Sequence, residues 1–327
     1  MILSYLVRLG CLSFACFFLV QLLFGVGVSL LAPVILSLAR RVKPRFAAGF
    51  LFALRMFPAF AGILAVALVC VPSYVLLEED AGGERVGLAC LGAALVGLSG
   101  WIIGMARGFC AIRRSKEFEL RCRKTGQELP IVGERALVVD DAAGLVAMAG
   151  IARPQLLVSR VVLEQLSAEQ LEAALQHERA HQVSRDNLKR LFLLSTPDVI
   201  PGCARFLGGL QAIERGWARF TEWAADDRAV AGDAMRRASL AAALVRVARL
   251  GAVVPMSPLM TSLLADGSDL EARVERLLDA STAPASTSPR RGIFAVVALL
   301  CGVCAVAAAL RPTSLQAAHG FLEYLVR

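Results

Sequence analysis

The chain has 327 residues, of which 57% are hydrophobic, and a mean hydropathy of +0.63, so it is more apolar than an ordinary soluble domain. Its formal net charge is +8, but the basic residues cluster beside apolar segments, where they anchor membrane helices; we therefore expect no nucleic-acid partner. The nine cysteines fall in apolar segments or on the side predicted to be cytoplasmic, so disulfides are not expected.

Four long segments without a charged residue predict four membrane-spanning helices. Each has the about 18–20 apolar residues that a helix needs to cross hydrocarbon, whereas an open sheet would leave backbone groups unpaired there. The predicted spans cover about 11–37, 56–77, 86–106 and 292–310. The first segment is too long for the apolar core of a signal peptide and is followed by basic residues, so we do not expect it to be cleaved.

The distribution of basic residues predicts the orientation of the chain. The loop at 40–45 is strongly basic, whereas the loop at 78–85 begins with three acids in a row and has only one arginine. Because basic loops stay in the cytoplasm, 40–45 and 107–291 are predicted to lie inside, with the amino terminus and the short tail at 311–327 outside. The sequence thus predicts a multi-pass protein of the inner (cytoplasmic) membrane. The lipid bilayer is therefore an expected partner of the chain.

One domain is predicted between the third and fourth spans. Residues 107–279 are long enough to form their own core, and 280–291 is a flexible linker rich in Ala, Ser, Thr and Pro. Short strands are predicted at 136–140 and 155–159, with 144–150 as a third between them. Helices are predicted after a capping box at Ser167 and Gln170, at about 209–231, and at 270–278.

The segment from His177 to His181 matches the motif H-E-x-x-H. On a helix this spacing places both imidazoles on one face, where they can hold one Zn²⁺. Glu178 lies beside them and can take a proton from a water whose pKa the metal lowers from ~15.7 to ~7. The alternative is a solvent-exposed polar face. It fits poorly, because the motif continues the apolar stripe of Leu171, Ala174 and Leu175, where unpaired polar groups are costly.

A third ligand is needed, because a catalytic zinc usually has three protein ligands and an open position. His319 is predicted to lie across the membrane from the other two histidines, so a carboxylate or a thiolate is expected. Glu222 is the first candidate, since Asp226 lies four residues later on the same helix face and can orient an imidazole. Cys203 is the rival ligand, and a solvated acidic face is the alternative interpretation of the two carboxylates.

Several segments together resemble the BlaR/MecR-type membrane zinc peptidases. The similar segments are 156–159, 171–181, 185–187, 222–226 and 273–278. In that family three spans precede the peptidase domain and one follows it, as predicted here, so the resemblance covers nearly the whole chain. It implies a multi-span α-helical membrane protein with an inserted α+β, zincin-like metalloprotease domain.

The resemblance also implies a set of site residues. Zn²⁺ would be held by His177, His181 and Glu222, with Glu178 as the general base and Asp226 supporting a ligand.

Two further residues match positions of that family. For Asp186 the alternative is capping or salt-bridging at the helix end. Arg273 could stabilise a developing oxyanion, with a surface ion pair as the alternative. Substrate peptides in such sites usually add to an exposed sheet edge, and we expect 144–150 to be that edge.

By the same resemblance, the expected function is a membrane-embedded zinc endopeptidase in regulatory signalling. It would cleave a cytoplasmic protein, such as a transcriptional repressor, or itself. Self-cleavage or a homo-oligomer is the corresponding expectation for protein partners. Antibiotic-sensing members carry an external penicillin-binding domain, but 311–327 lacks its Ser-x-x-Lys motif, so β-lactam sensing is not expected. The alternatives are a quality-control or processing protease of the HtpX or CAAX-prenyl type, or a non-catalytic membrane scaffold. HtpX-type chains place two spans on each side of the motif.

Overall fold

The computed structural model describes most of the chain up to residue 279. The described residues are 2–77, 87–131, 134–140, 144–151, 154–198, 208–251, 257–263, 269–279 and 320. Several predicted features lie outside them, namely the loop at 78–85, Cys203, the linker at 280–291, the fourth span at 292–310 and His319.

The described chain is mostly helical, and three of its helices are long and apolar enough to cross a membrane. These candidate spans are Tyr5–Ala39, Pro44–Leu76 and Leu88–Thr125. They comprise helix α1 (Ile2–Ala39), helix α2 (Pro44–Ala65) with a π-helical segment (Val66–Cys70) and helix α3 (Val71–Leu77), and helix α4 (Leu88–Thr125). The expected membrane association is supported to this extent, while the orientation stays a prediction.

All three candidate spans are longer than predicted, and α1 begins at Ile2 rather than near 11. Helix α2 begins at Pro44 rather than near 56, and α4 continues past 106 to Thr125. Residues 109–125 contain neither glycine nor proline, so nothing interrupts the helix where its composition changes from apolar to basic. Charge marks where a helix would leave hydrocarbon, but not where it ends.

Helix α4 contacts helix α7 (Asp186–Ser195) through a face of small residues. A Cβ atom on Gly104 would lie only 2.5 Å from the carbonyl oxygen of Ser195, so this approach requires a glycine. Arg107 of α4 also donates from Nη2 to the carbonyl oxygen of Thr196 over 2.8 Å. The apolar helices are therefore packed directly against the part of the chain that follows the H-E-x-x-H motif.

A five-stranded mixed sheet forms the rest of the scaffold, in the order β1-β2-β4-β3-β5. Its strands are β1 (Gln127–Ile131), β2 (Glu134–Val139), β3 (Val146–Ala149), β4 (Gln155–Ser159) and β5 (Met260–Ser262). Strands β2 and β4 are parallel and the other neighbours are antiparallel. The structure contains all three predicted strands, β2, β3 and β4.

The prediction that 144–150 forms the sheet edge is wrong. Strand β3 pairs with β4 on one side and with β5 on the other, where Ala147 lies opposite Ser262. All three residues of β5 are buried. A strand this short, and more than a hundred residues away in the chain, leaves no local pattern that sequence analysis can detect.

In the described part of the chain six helices follow strand β4, with β5 between the last two of them. They are α5 (Arg160–Gln165), α6 (Ala168–Ser184), α7, α8 (Gly208–Val230), α9 (Ala234–Arg249) and α10 (Leu270–Leu278). Helix α6 begins with the predicted capping box, in which Ser167 and Gln170 exchange side-chain-to-backbone hydrogen bonds. The main core lies between the sheet and helices α6 and α9, and includes Val146, Val158, Ala174, Leu240 and Leu244.

Helix α8 lies between this core and the first two helices. Its residues Ile213, Trp217 and Phe220 are buried against the ends of α1 and α2, which contribute Ala32, Ala47 and Leu51 among others. Burying a large apolar side chain contributes about 1.5–3 kcal/mol. This contact fixes α8, the helix that carries Glu222 and Asp226, against the apolar helices.

Candidate metal centre

Helix α6 presents His177 and His181 on its buried face. The relative exposure of the two residues is 0% and 1%, and the ring centroids are 4.7 Å apart. The two Nε2 atoms face each other over 3.1 Å. One turn of helix therefore brings two potential ligand atoms to a single point, as the motif predicts.

Helix α8 brings Glu222 to the same point. Its Oε2 atom lies 3.4 Å from Nε2 of His177, and its Oε1 atom lies 3.6 Å from Nε2 of His181. One ligand atom from each of the three residues lies within 4.8 Å of the other two. The three side chains can therefore hold one metal ion.

Two carboxylates determine which nitrogen of each imidazole carries a proton. Asp226 Oδ1 lies 2.9 Å from Nδ1 of His177, and Asp186 Oδ2 lies 2.9 Å from Nδ1 of His181. Each Nδ1–H can donate to its carboxylate, so in the neutral rings both Nε2 lone pairs point at each other. Such lone pairs repel unless a cation lies between them.

The spacing of the two nitrogens fits a metal ion. With Zn–N distances of ~2.0–2.1 Å, two nitrogens on a tetrahedral zinc lie about 3.3 Å apart. The observed 3.1 Å is close to that separation. The donor set of two imidazoles and one carboxylate is also one that catalytic zinc sites use.

Asp186 reaches His181 because the chain turns sharply between helices α6 and α7. Arg185 adopts the left-handed conformation, with φ 54° and ψ 42°, which ends α6 and starts α7 one residue later. Asp186 is 3% exposed and also pairs with Lys189, whose Nζ lies 3.0 Å from Oδ1. The salt bridge that was the alternative role for Asp186 is thus present, with Lys189. The same carboxylate also contacts the imidazole of His181.

Asn187 fixes the start of α7 against the sheet. Its Nδ2 donates to the carbonyl oxygens of Met148 and Gly150, over 3.1 and 2.9 Å. Met148 belongs to β3, so the residue next to Asp186 is held by the strand that packs beside α6. The position of Asp186 therefore depends on the sheet as well as on the turn.

Arg273 of α10 is buried behind the ligands, with 4% exposure. Its Nε and Nη2 atoms donate to the two oxygens of Asp226 over 2.9 and 2.7 Å. Its Nη1 atom donates to the carbonyl oxygen of Leu263 over 2.8 Å and lies 3.2 Å from Glu222 Oε2. A surface ion pair is therefore excluded for Arg273, and a role at an oxyanion stays a prediction.

Glu178 is fully buried, yet neither of its carboxylate oxygens has a hydrogen-bond partner among the described residues. Burial raises its pKa to about 7, although the neighbouring imidazoles of His177 and His181 oppose the shift. A carboxylate with a pKa near neutral and free oxygens is suited to exchanging a proton during a reaction.

The charges around the ligands favour a cation. Burial alone would lower the pKa of His181, but the carboxylates of Glu222 and Asp186 outweigh it and raise that pKa to about 10. Burial would raise the pKa of Asp226, but Arg273 and His177 hold it at about 2. The ionised carboxylates thus attract positive charge to the imidazoles, as protons or as a metal ion.

The site predicted from the sequence is brought together in one place: His177, Glu178, His181, Glu222 and Asp226 all lie within it. Cys203, the rival ligand, lies outside the described residues. The sequence left the roles of Asp186 and Arg273 open, and the structure shows that both contact the site. Asp186 directly follows the motif, whereas Arg273 lies 47 residues from its partner Asp226, so its local sequence alone does not show the contact.

A scan against protein-family models and a search of curated proteins gave no match to this chain. The family resemblance therefore rests on the motifs and on the predicted spans.

Proposed function

We propose that this chain is an integral-membrane zinc endopeptidase that hydrolyses peptide bonds of cytoplasmic proteins. The observation that carries the proposal is the pair of Nε2 atoms facing each other over 3.1 Å, with Glu222 beside them. Glu178, buried and with both oxygens unpaired among the described residues, lies next to this pair in the chain. The arrangement supplies metal ligands and a base together, which a purely structural role would not need.

His177, His181 and Glu222 would hold the zinc. Bound there, zinc would polarise the scissile carbonyl and make water a better nucleophile at neutral pH.

Glu178 moves the proton. One of its free oxygens accepts a proton from the attacking water and then delivers it to the nitrogen of the leaving amine. In the metal-free site burial raises the pKa of Glu178 to about 7, well above that of an ordinary carboxyl group. Burial excludes bulk water that would compete for these oxygens.

The remaining charged residues position the ligands. Asp226 and Asp186 accept from the Nδ1 atoms of the two imidazoles and keep the Nε2 atoms directed at the metal position. Arg273 holds Asp226 through two hydrogen bonds, so the carboxylate stays ionised and in place. These residues act through the ligands rather than on the substrate.

A cleft of about 370 Å³ between β3 and α7 reaches His181 and Asp186. It is lined in part by Met148, Gly150, Ile151, Pro154 and Arg185. We infer that a peptide approaches from this side. The proposed substrate is a cytoplasmic regulator, such as a repressor, or a second copy of the chain. The basic loops support the cytoplasmic location, and the family resemblance supports the regulatory role.

The test uses the purified full-length chain in detergent with a mixture of unfolded protein substrates. We expect metal-dependent hydrolysis that Glu178→Gln lowers at least ~100-fold without loss of bound metal, since general acid–base catalysis is worth ~10²–10⁴. Glu172→Gln, an exposed position on the same helix, is the matched control and should keep full activity. Equal hydrolysis by the Glu178→Gln protein would refute the proposed mechanism.

The regulatory role is tested in cells, by comparing the proteins cleaved in the presence of the wild type and of Glu178→Gln. Cleavage of one or a few cytoplasmic proteins supports it. Cleavage of many unrelated misfolded membrane proteins would instead favour the quality-control alternative.

A further inference from the structure

A second cleft lies away from the metal centre, between the end of α1 and helix α8. Its volume is about 240 Å³. Its lining combines arginines with apolar and aromatic side chains, namely Arg40, Arg215, Arg219, Leu36, Phe220 and Trp223. Guanidinium groups next to an apolar lining are suited to a ligand that is anionic at one end and apolar at the other.

The positive charge of this cleft is only partly neutralised. Arg40 and Arg215 form no ion pair with any residue in the described ranges, and both are exposed. Arg219 is paired, since its Nε lies 3.0 Å from Oδ1 of Asp269. The neighbouring carboxylate on α8, Glu214, is held by Arg55 on the adjacent side, over 3.3 Å. Two guanidinium groups therefore remain available to an anion.

The last turns of α1, which end beside this cleft, are apolar and exposed on another face of the helix, turned away from α8. Along α1, large apolar side chains stay exposed up to the last turn, with 76% at Leu30, 57% at Val34 and 50% at Leu38. The basic turn at 40–45 follows directly. Where a membrane helix leaves the hydrocarbon and enters the headgroup region, its apolar surface is usually followed by aromatic and basic residues. An α1 longer than the hydrocarbon thickness can be accommodated by tilting.

We propose that this cleft binds the phosphate of an anionic phospholipid. Arg40 and Arg215 donate to the phosphate oxygens, which match the planar guanidinium group in charge and geometry. Leu36 and Phe220 contact the glycerol and the adjoining acyl carbons. Because α8 also carries Glu222, the lipid site and the metal centre share one helix. This assignment goes beyond the proposed protease function and does not require it.

The test is native mass spectrometry of the full-length chain in a neutral detergent, with added phosphatidylglycerol or phosphatidylcholine. We expect one phosphatidylglycerol to be retained in preference to phosphatidylcholine. Arg40→Gln and Arg215→Gln should each weaken retention about fivefold, the effect of one basic residue near an anionic headgroup. Arg249→Gln removes the same charge from an exposed position that does not line the cleft, and should leave retention unchanged.

Three outcomes would overturn the proposal. Equal retention of phosphatidylcholine would show that no anionic group is selected. Equal losses in the cleft and control variants would show that only the overall charge matters. Displacement of the lipid by inorganic phosphate alone, with the same dependence on Arg40 and Arg215, would assign the cleft to a free phosphate instead.

Discussion

The Nη2 atom of Arg273 donates to Oδ1 of Asp226 over 2.7 Å, and the same oxygen lies 2.9 Å from Nδ1 of His177. A guanidinium, a carboxylate and an imidazole thus form one buried chain of charge-assisted contacts that ends at a metal ligand. Arg273 holds the pKa of Asp226 at about 2 against the effect of burial, so Asp226 stays ionised at any physiological pH. The orientation of His177 therefore depends on a helix that is distant in sequence.

Replacing Asp226 by asparagine should weaken metal binding. The amide is uncharged and stabilises the correct tautomer of His177 less well, and changes of this kind cost ~10–100-fold in affinity. The measurement is a competition titration of the purified chain against a chelating dye. Asp227→Asn is the matched control, because Asp227 is the next residue on α8 and pairs with Arg276 rather than with a ligand. The same loss in both variants would contradict the assignment.

Asp186→Asn should have a similar effect through the other imidazole. Asp186 lies 2.9 Å from Nδ1 of His181 and is 3% exposed, so its replacement removes the charge that orients that ring. We expect a ~10–100-fold loss of metal affinity in the same titration. Asp140→Asn, which alters an exposed ion pair with Arg160, should change nothing. If Asp186→Asn bound metal as tightly as the wild type, Asp186 would not orient His181, and its role would be only the salt bridge at the start of α7.

Metal affinity should increase as pH rises. The pKa of His181 is raised from 6.5 to about 10 despite burial, because Glu222 and Asp186 lie beside it. Protons and metal compete for Nε2, so affinity should tighten up to about tenfold per pH unit for each proton released, until pH approaches 10. The same raised pKa stabilises the metal-free fold fully below about pH 6.5, and this contribution is lost as pH rises through about 10. Chelator titrations at several pH values measure the first effect, and a flat profile would contradict it.

Adding one methyl group to Gly104 should weaken the packing of α4 against α7. A Cβ atom there would lie 2.5 Å from the carbonyl oxygen of Ser195, and overpacking of this kind costs about 1–3 kcal/mol. Gly92→Ala is the control on the same helix, since a Cβ atom there meets nothing within 4 Å and alanine favours the helix. Thermal unfolding in detergent should give a lower midpoint for Gly104→Ala and an equal or higher one for Gly92→Ala. The reverse order would show that the two helices do not pack as described.

Much of the scaffold could be predicted from local patterns. Uncharged apolar segments indicated the three candidate spans, short apolar runs indicated β2 and β4, and the capping box at Ser167 and Gln170 indicated the start of α6. These signals lie within a few residues of each other in the chain, which is why sequence analysis detects them.

The features that sequence analysis missed depend on contacts between distant segments. Strand β5 has three residues, and only its pairing with β3 shows that 144–150 is not an edge. Arg273 could equally have been a surface residue by its local sequence, because its partners lie on α8 and in the segment at 263. The backbone of Arg185 in the left-handed region was also not foreseeable, since glycine or asparagine is the usual signal.

The central claim is that His177, His181 and Glu222 hold one divalent ion, and elemental analysis of the purified full-length chain tests it most directly. We expect about one zinc per chain in the wild type and in Glu178→Gln, and a near-complete loss in His177→Ala, since a catalytic zinc needs its three protein ligands. A wild-type chain that binds no metal, or a His177→Ala chain that retains as much metal as the wild type, would contradict the assignment of this site.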